Sequence, residues 1–143
     1  MSRFIDPDRM QFEAFKGLDR ETELNMLNLV RFNDLANYPG DHILARDGWT
    51  GAQAYAAYGR DTAPILARVG GDIVWRGTFE STLIGPGDET WDVMFIARYP
   101  NAHAFLAMVS DPAYQKAVVH RQAAVKTSRL IRTQPRPLTD QFA

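Results

Sequence analysis

Six side chains carry the chemistry that this sequence can offer. His120 titrates near neutral pH, which suits it to proton transfer. Tyr58, like its neighbour Tyr55, is a phenol able to donate to an enolate oxygen, and it stands with His120 as the catalytic candidate. Arg121 falls on an apolar stripe with Tyr114 and Val118. A guanidinium there either grips a carboxylate through a bidentate pair or braces its helix against Asp111 or Asp92. Asn28 sits among strand apolars, where an amide without partners costs about 1–3 kcal/mol, and it either orients a substrate carbonyl or bonds loop backbone. Trp75 and Trp91 can wall an aromatic ligand or fill a seam between two chains. Asn28, Arg121, Tyr114 and Trp75 are thus the candidate substrate-binding residues.

Other chemistries are excluded by what the chain lacks. Its three histidines, His42, His103 and His120, show neither HxH nor HExxH spacing, so neither a metal nor haem is expected. The absence of cysteine removes disulfides, thiolate zinc and a Cys nucleophile. There is no Gly-x-Ser-x-Gly elbow, and Gly70-Gly71 and Gly85-Pro86-Gly87 read as turns rather than phosphate cradles. No cofactor is expected. Sixteen Lys and Arg stand against seventeen Asp and Glu without a run of one sign, which argues against nucleic acid and against a polybasic membrane patch. No apolar stretch approaches the ~20 residues of a membrane span, and the charged N-terminus lacks the apolar core of a signal peptide. A soluble, cytoplasmic protein with one domain in its 143 residues is the expectation.

The elements that must position these residues follow from periodicity and caps. Residues 1–21 read as an arm with a short helix after Asp6-Pro7, its Phe4, Phe12 and Phe15 covering the core. Residues 23–32 alternate as a strand, with Asn28 on the face of Met26 and Val30 and Asn25 on the other. A loop of about seventeen residues, 33–49, precedes a capping box at Thr50 and Gln53. The helix from there to Arg68 places Tyr55, Gly59, Thr62, Leu66 and Val69 on one face and points Tyr58 toward the sheet edge or a partner. Pro64 predicts a kink or broken turn. Strands follow over 72–84 and 91–99, then helices after Pro100-Asn101 and Asp111-Pro112, and a last strand over 128–134. His120 lies beside the second helix's apolar stripe rather than on it. Residues 135–143, with Pro135 and Pro137, form a tail.

This order is strand, helix, strand, strand, helix, strand over residues 22–134: an α+β, ferredoxin-like βαββαβ antiparallel sheet with helices on one face. Val93, Phe95 and Ala97 point to one side of the third strand, and Met94 and Ile96 to the other. Two helices cover only one face, so the second predicts a homodimer packed sheet on sheet.

Several segments together resemble the domain-of-unknown-function family 1330 of the dimeric α+β barrel superfamily. They are Met26-Leu27-Asn28-Leu29, Tyr55-Ala-Ala-Tyr58-Gly59, Gly70-Gly71, Gly85-Pro86, Arg98-Tyr99-Pro100 with Phe105 and Met108, and Asp111-Pro112-Ala-Tyr114 with His120-Arg121. The resemblance covers about residues 23–133. It implies a dimeric α+β barrel and a pocket between sheet and helices, and it implies no particular reaction. Many members carry a carboxylate before the aromatic-Pro step, where this chain has Arg98. Two readings result. One is a cofactor-free enzyme, like a monooxygenase, isomerase or lyase, acting on a small acidic or aromatic molecule. The other is a non-catalytic dimeric domain that binds a metabolite or a protein.

Overall fold

The computed structural model describes residues 3–139, 141 and 142; the ends of the sequence-read arm and tail, Met1, Ser2, Asp140 and Ala143, lie outside them. The chain forms α1 (Arg9–Gly17), β1 (Leu24–Phe32), α2 (Gly51–Arg68), β2 (Asp72–Gly77), β3 (Val93–Tyr99), α3 (Ala102–Ser110), α4 (Pro112–Ala124) and β4 (Val125–Thr133). The strands make one antiparallel sheet in the order β2-β3-β1-β4, the ferredoxin-like arrangement.

Local chemistry sets most of the boundaries. The Thr50 hydroxyl accepts from Gln53 N at 3.1 Å and the Gln53 side chain accepts from Thr50 N at 2.9 Å, closing both ends of a capping box on α2. Asn101 and Asp111 cap α3 and α4 by accepting from Ala104 N and Ala113 N, and Pro112 sits in the first turn where its missing N–H costs nothing. The cap of α1 is Asp8, which accepts from Gln11 N at 2.7 Å, rather than Asp6.

Four sequence expectations are corrected. Helix α2 runs unbroken through Pro64, because the proline lies on the exposed face, where water can bond the carbonyl it leaves free. The expected face of α2 does turn inward, with Tyr55, Gly59, Thr62 and Leu66 lining one cavity, but its most buried positions are Gly51, Ala54, Ala57, Thr62 and Ile65, and Gly59 is exposed. Strand β2 ends at Gly77 rather than residue 84, and β3 begins at Val93 rather than residue 91. Strand β4 starts directly after α4, at Val125 rather than residue 128.

Register separates the two faces of the sheet. Met26 pairs with Ala97 and Arg132, Asn28 with Phe95 and Leu130, and Val30 with Val93 and Ser128. These residues face the helices. Leu27 pairs with Ile96 and Ile131, and Leu29 with Met94 and Arg129, on the opposite face. The core divides into two clusters along β1. Leu24 and Met26 pack with Ile65, Tyr99, Phe105, Met108 and Tyr114, while Val30 packs with Tyr38, Ala54, Ala123 and Val125. Fully burying one such large side chain contributes about 1.5–3 kcal/mol.

Candidate functional site

Between the helix-facing side of the sheet and the helices lies a cavity of about 1220 Å³. Met26 and Asn28 of β1 and Phe95 and Ala97 of β3 form its floor, and Tyr55, Tyr58 and Leu66 of α2 form one wall. Tyr114, Val118 and Arg121 of α4 form the other, with Phe105 and Met108 of α3 at one end. Pockets that hold drug-sized molecules span about 300–1,000 Å³, so this one has room for more than a single ring.

The N-terminal arm covers part of the remaining side. Phe4, Ile5, Asp6, Phe12 and Phe15 all line the cavity. Phe4 N donates to Thr127 Oγ1 at 3.2 Å, and Ser128 Oγ donates to Phe4 O at 2.8 Å. The Phe15 ring meets Phe105 edge-on with centroids 5.0 Å apart, and the Arg132 guanidinium lies over it at 4.9 Å. Arg132 also donates to the carbonyls of Phe15 and Asp19, so β4 holds both ends of α1. The three phenylalanines noted in the sequence thus cover the chain's own interior.

Four of the six candidate residues come together here. The Tyr58 and Tyr114 hydroxyls are 3.1 Å apart, so Tyr58 points into the cavity rather than toward the sheet edge. Asn28 Nδ2 donates only to Met26 O, two residues away at 3.1 Å. Arg121 donates to Ile5 O and, at 3.1 Å, to Ser128 Oγ. It braces against neither Asp111 nor Asp92, which are taken by Arg68 and by Phe32 N. Burial pushes the phenols of Tyr55 and Tyr114 far above their ordinary titration range. Neighbouring Tyr58 adds to both shifts and the Arg121 charge opposes them. Both therefore stay protonated at neutral pH and serve as hydrogen-bond donors, not as bases.

His120 and Trp75 lie elsewhere. His120 Nδ1 is 2.6 Å from the Tyr38 hydroxyl, and its Nε2 is 3.6 Å from Asp61. The His42 and Trp49 rings complete this cluster, which ties the 33–49 loop to the flank of α4. Burial lowers the His120 pKa; Asp61 opposes that shift, while His42 and Arg60 reinforce it. Trp75 sits on the opposite face of the sheet because a bulge between Ile73 and Trp75 reverses the alternation: Ile73 pairs with Ala97, but Trp75 pairs with Ile96. A Cβ on Gly77 would meet the Trp75 ring at 2.8 Å, so the indole lies against the glycine's backbone.

The sequence reading missed Ser128, Arg132 and the carbonyl of Ile5, all of which meet the arm or Arg121. Their partners lie more than a hundred positions away, and nothing local signals such pairs. Among the described residues, no group of three or more His, Asp or Glu is placed to hold a metal ion. No helix among them is long and apolar enough to cross a membrane.

The profile of a domain of unknown function, DUF1330, matches residues 42–133. The RPA0582 protein of unknown function from Rhodopseudomonas palustris is 52% identical, over 95% of this chain and 99% of that one, with a TM-score of 0.88. Its methylated form is 51% identical over 98% and 100% of the two chains, with a TM-score of 0.90. No curated protein matches the chain.

Proposed function

The chain belongs to the DUF1330 family, and from that premise we propose that it binds a small, largely apolar organic molecule in the cavity between sheet and helices. The observation that carries this reading is the cavity's combination of size and lining. Aromatic and aliphatic side chains dominate the lining of about 1220 Å³, and four polar groups meet there from three elements: Asn28 from β1, Tyr58 from α2, and Tyr114 and Arg121 from α4. Apolar walls with a few placed donors are the usual composition of a small-molecule site.

Binding without catalysis is favoured over a cofactor-free enzyme by the placement of titratable groups. Proton abstraction needs a base within hydrogen-bond reach of the ligand. The carboxylate lining the cavity is Asp6, and it already accepts from Gln122 at 3.1 Å. His120 is turned toward Tyr38 and Asp61, and the buried phenols hold their protons.

A homodimer completes the proposal. Leu27, Leu29, Met94, Ile96, Ile131 and Trp75 form an apolar outer sheet face that no helix among the described residues covers, and a second copy offers the same face in return.

The test of the cavity uses a neutral fluorescent probe, N-phenyl-1-naphthylamine, on the full chain. The wild type is expected to bind and brighten it. Val118→Trp, which puts an indole into the cavity, is expected to weaken binding at least tenfold with an unchanged far-UV circular dichroism spectrum. Equal binding by both proteins would place the dye elsewhere and end the reading.

A further inference from the structure

The cavity's charge is one-sided among the described residues: Arg76, Arg121, Arg132 and Arg129, which reaches the Phe4 ring from the outer face of the edge strand β4, line it against a single carboxylate, Asp6. Arg129 is neutralised by Glu89 at 3.3 Å and lies over the Phe4 and Trp91 rings, and Arg132 is spent on two arm carbonyls. Arg76 is exposed on the edge strand β2.

Arg121 differs from Arg129 in having no carboxylate partner, from Arg76 in being half-buried, and from Arg132 in standing beside the Tyr55 and Tyr114 phenols rather than over the Phe15 ring of the arm. It is half-buried, and no carboxylate among the described residues comes within 4.0 Å of it. Two of its five N–H groups are used, on Ile5 O and Ser128 Oγ, both neutral acceptors. Three donors and a whole charge remain unmatched beside Tyr55 and Tyr114. A guanidinium drawn partly out of water without a counter-charge is costly, and an anion with two coplanar oxygens fits its fork. The bonds to the arm and to Ser128 hold that fork in place. One guanidinium balances one negative charge, which matches a carboxylate better than a phosphate dianion.

We propose that Arg121 is the anion-recognition point of this cavity and that its ligands are small carboxylic acids with an apolar, ring-bearing body. This rests on the binding reading above. Phe95, Tyr99 and Phe105 face the space such a body would fill, and Tyr58 and Tyr114 stand ready to donate to a further oxygen.

The experiment compares 2-naphthoate with 2-naphthamide, which share a shape and differ in charge, by isothermal titration calorimetry on the full chain. The wild type is expected to bind the acid at least tenfold more tightly than the amide. In Arg121→Gln the two should fall within twofold of each other, because the acid loses most of its advantage. Arg121→Lys keeps the charge but cannot span both acceptors; it should shrink the preference at least threefold, and it decides the matter if Arg121→Gln fails to fold. Equal wild-type binding of acid and amide, or a preference undiminished in the variants, overturns the role of Arg121 and leaves the cavity reading standing. If neither compound binds or displaces the neutral dye, the cavity reading falls and this inference falls with it.

Discussion

Thr62 offers a direct test of how this interior is balanced. Its side chain is 8% exposed, and its hydroxyl oxygen is buried with no hydrogen-bond partner. A buried polar group left unpaired costs about 1–3 kcal/mol. Replacing it by valine keeps the branched shape, exchanges the hydroxyl for a methyl, and changes helix propensity little, since threonine and valine rank together. Thr62→Val should therefore stabilise the protein, by about 1–2 kcal/mol once imperfect packing of the new methyl is subtracted. For a chain of this length that corresponds to a rise in Tm of roughly 3–8 °C. Urea unfolding followed by tryptophan fluorescence measures it: the midpoint should move up by about 0.5–1 M with an unchanged slope. Thr62→Ala serves as the control, because it removes the hydroxyl but also opens a void, and it should gain less or lose. A valine variant no more stable than wild type would refute the reasoning, since it would mean that the hydroxyl is bonded in solution.

Two further predictions follow from the His120 cluster and the outer sheet face. His120 has a lowered pKa in the folded protein, so the unfolded chain binds more protons below about pH 6.5 and stability should fall as pH drops through that range. His120→Gln should flatten that slope in urea titrations at pH 5 to 8; a slope carried equally by the variant would assign it to other groups, of which His42 is the nearest imidazole. On the outer face, Leu29→Glu places a carboxylate among Leu27, Met94 and Ile96, opposite Arg129. Sedimentation velocity should show the wild type as a dimer and this variant as a monomer; a wild type that sediments as a monomer would remove the sheet-on-sheet proposal.

What was legible in the sequence was local. The capping box at Thr50, the Asp111-Pro112 start and the alternation of residues 24–32 depend on neighbours within a few positions, and they led to the element order and the fold class. The convergence of Asn28, Tyr114 and Arg121 was legible because each lies on an inward stripe of an element whose type was clear. Trp75 was not, because one extra residue at a bulge reverses every face after it and leaves no mark in composition. His120 was placed beside the stripe, and its partners Tyr38 and Asp61 come from a loop and a helix whose approach no periodicity encodes.

The arm's mooring also fixes an order of assembly. Residues 4–19 are synthesised well before the hydrogen-bonding groups that hold them, from Arg121 through Thr127 and Ser128 to Arg132, which follow more than a hundred residues later. Helix α1 has nine residues and buries none of them, and isolated helices shorter than about 12–15 residues are marginal in water. The arm is thus made early and finds its place late. Its mooring waits until β4, an edge strand, has paired with β1. The amides of this arm should accordingly exchange with solvent before those of the sheet, so the interior opens toward water without any strand letting go.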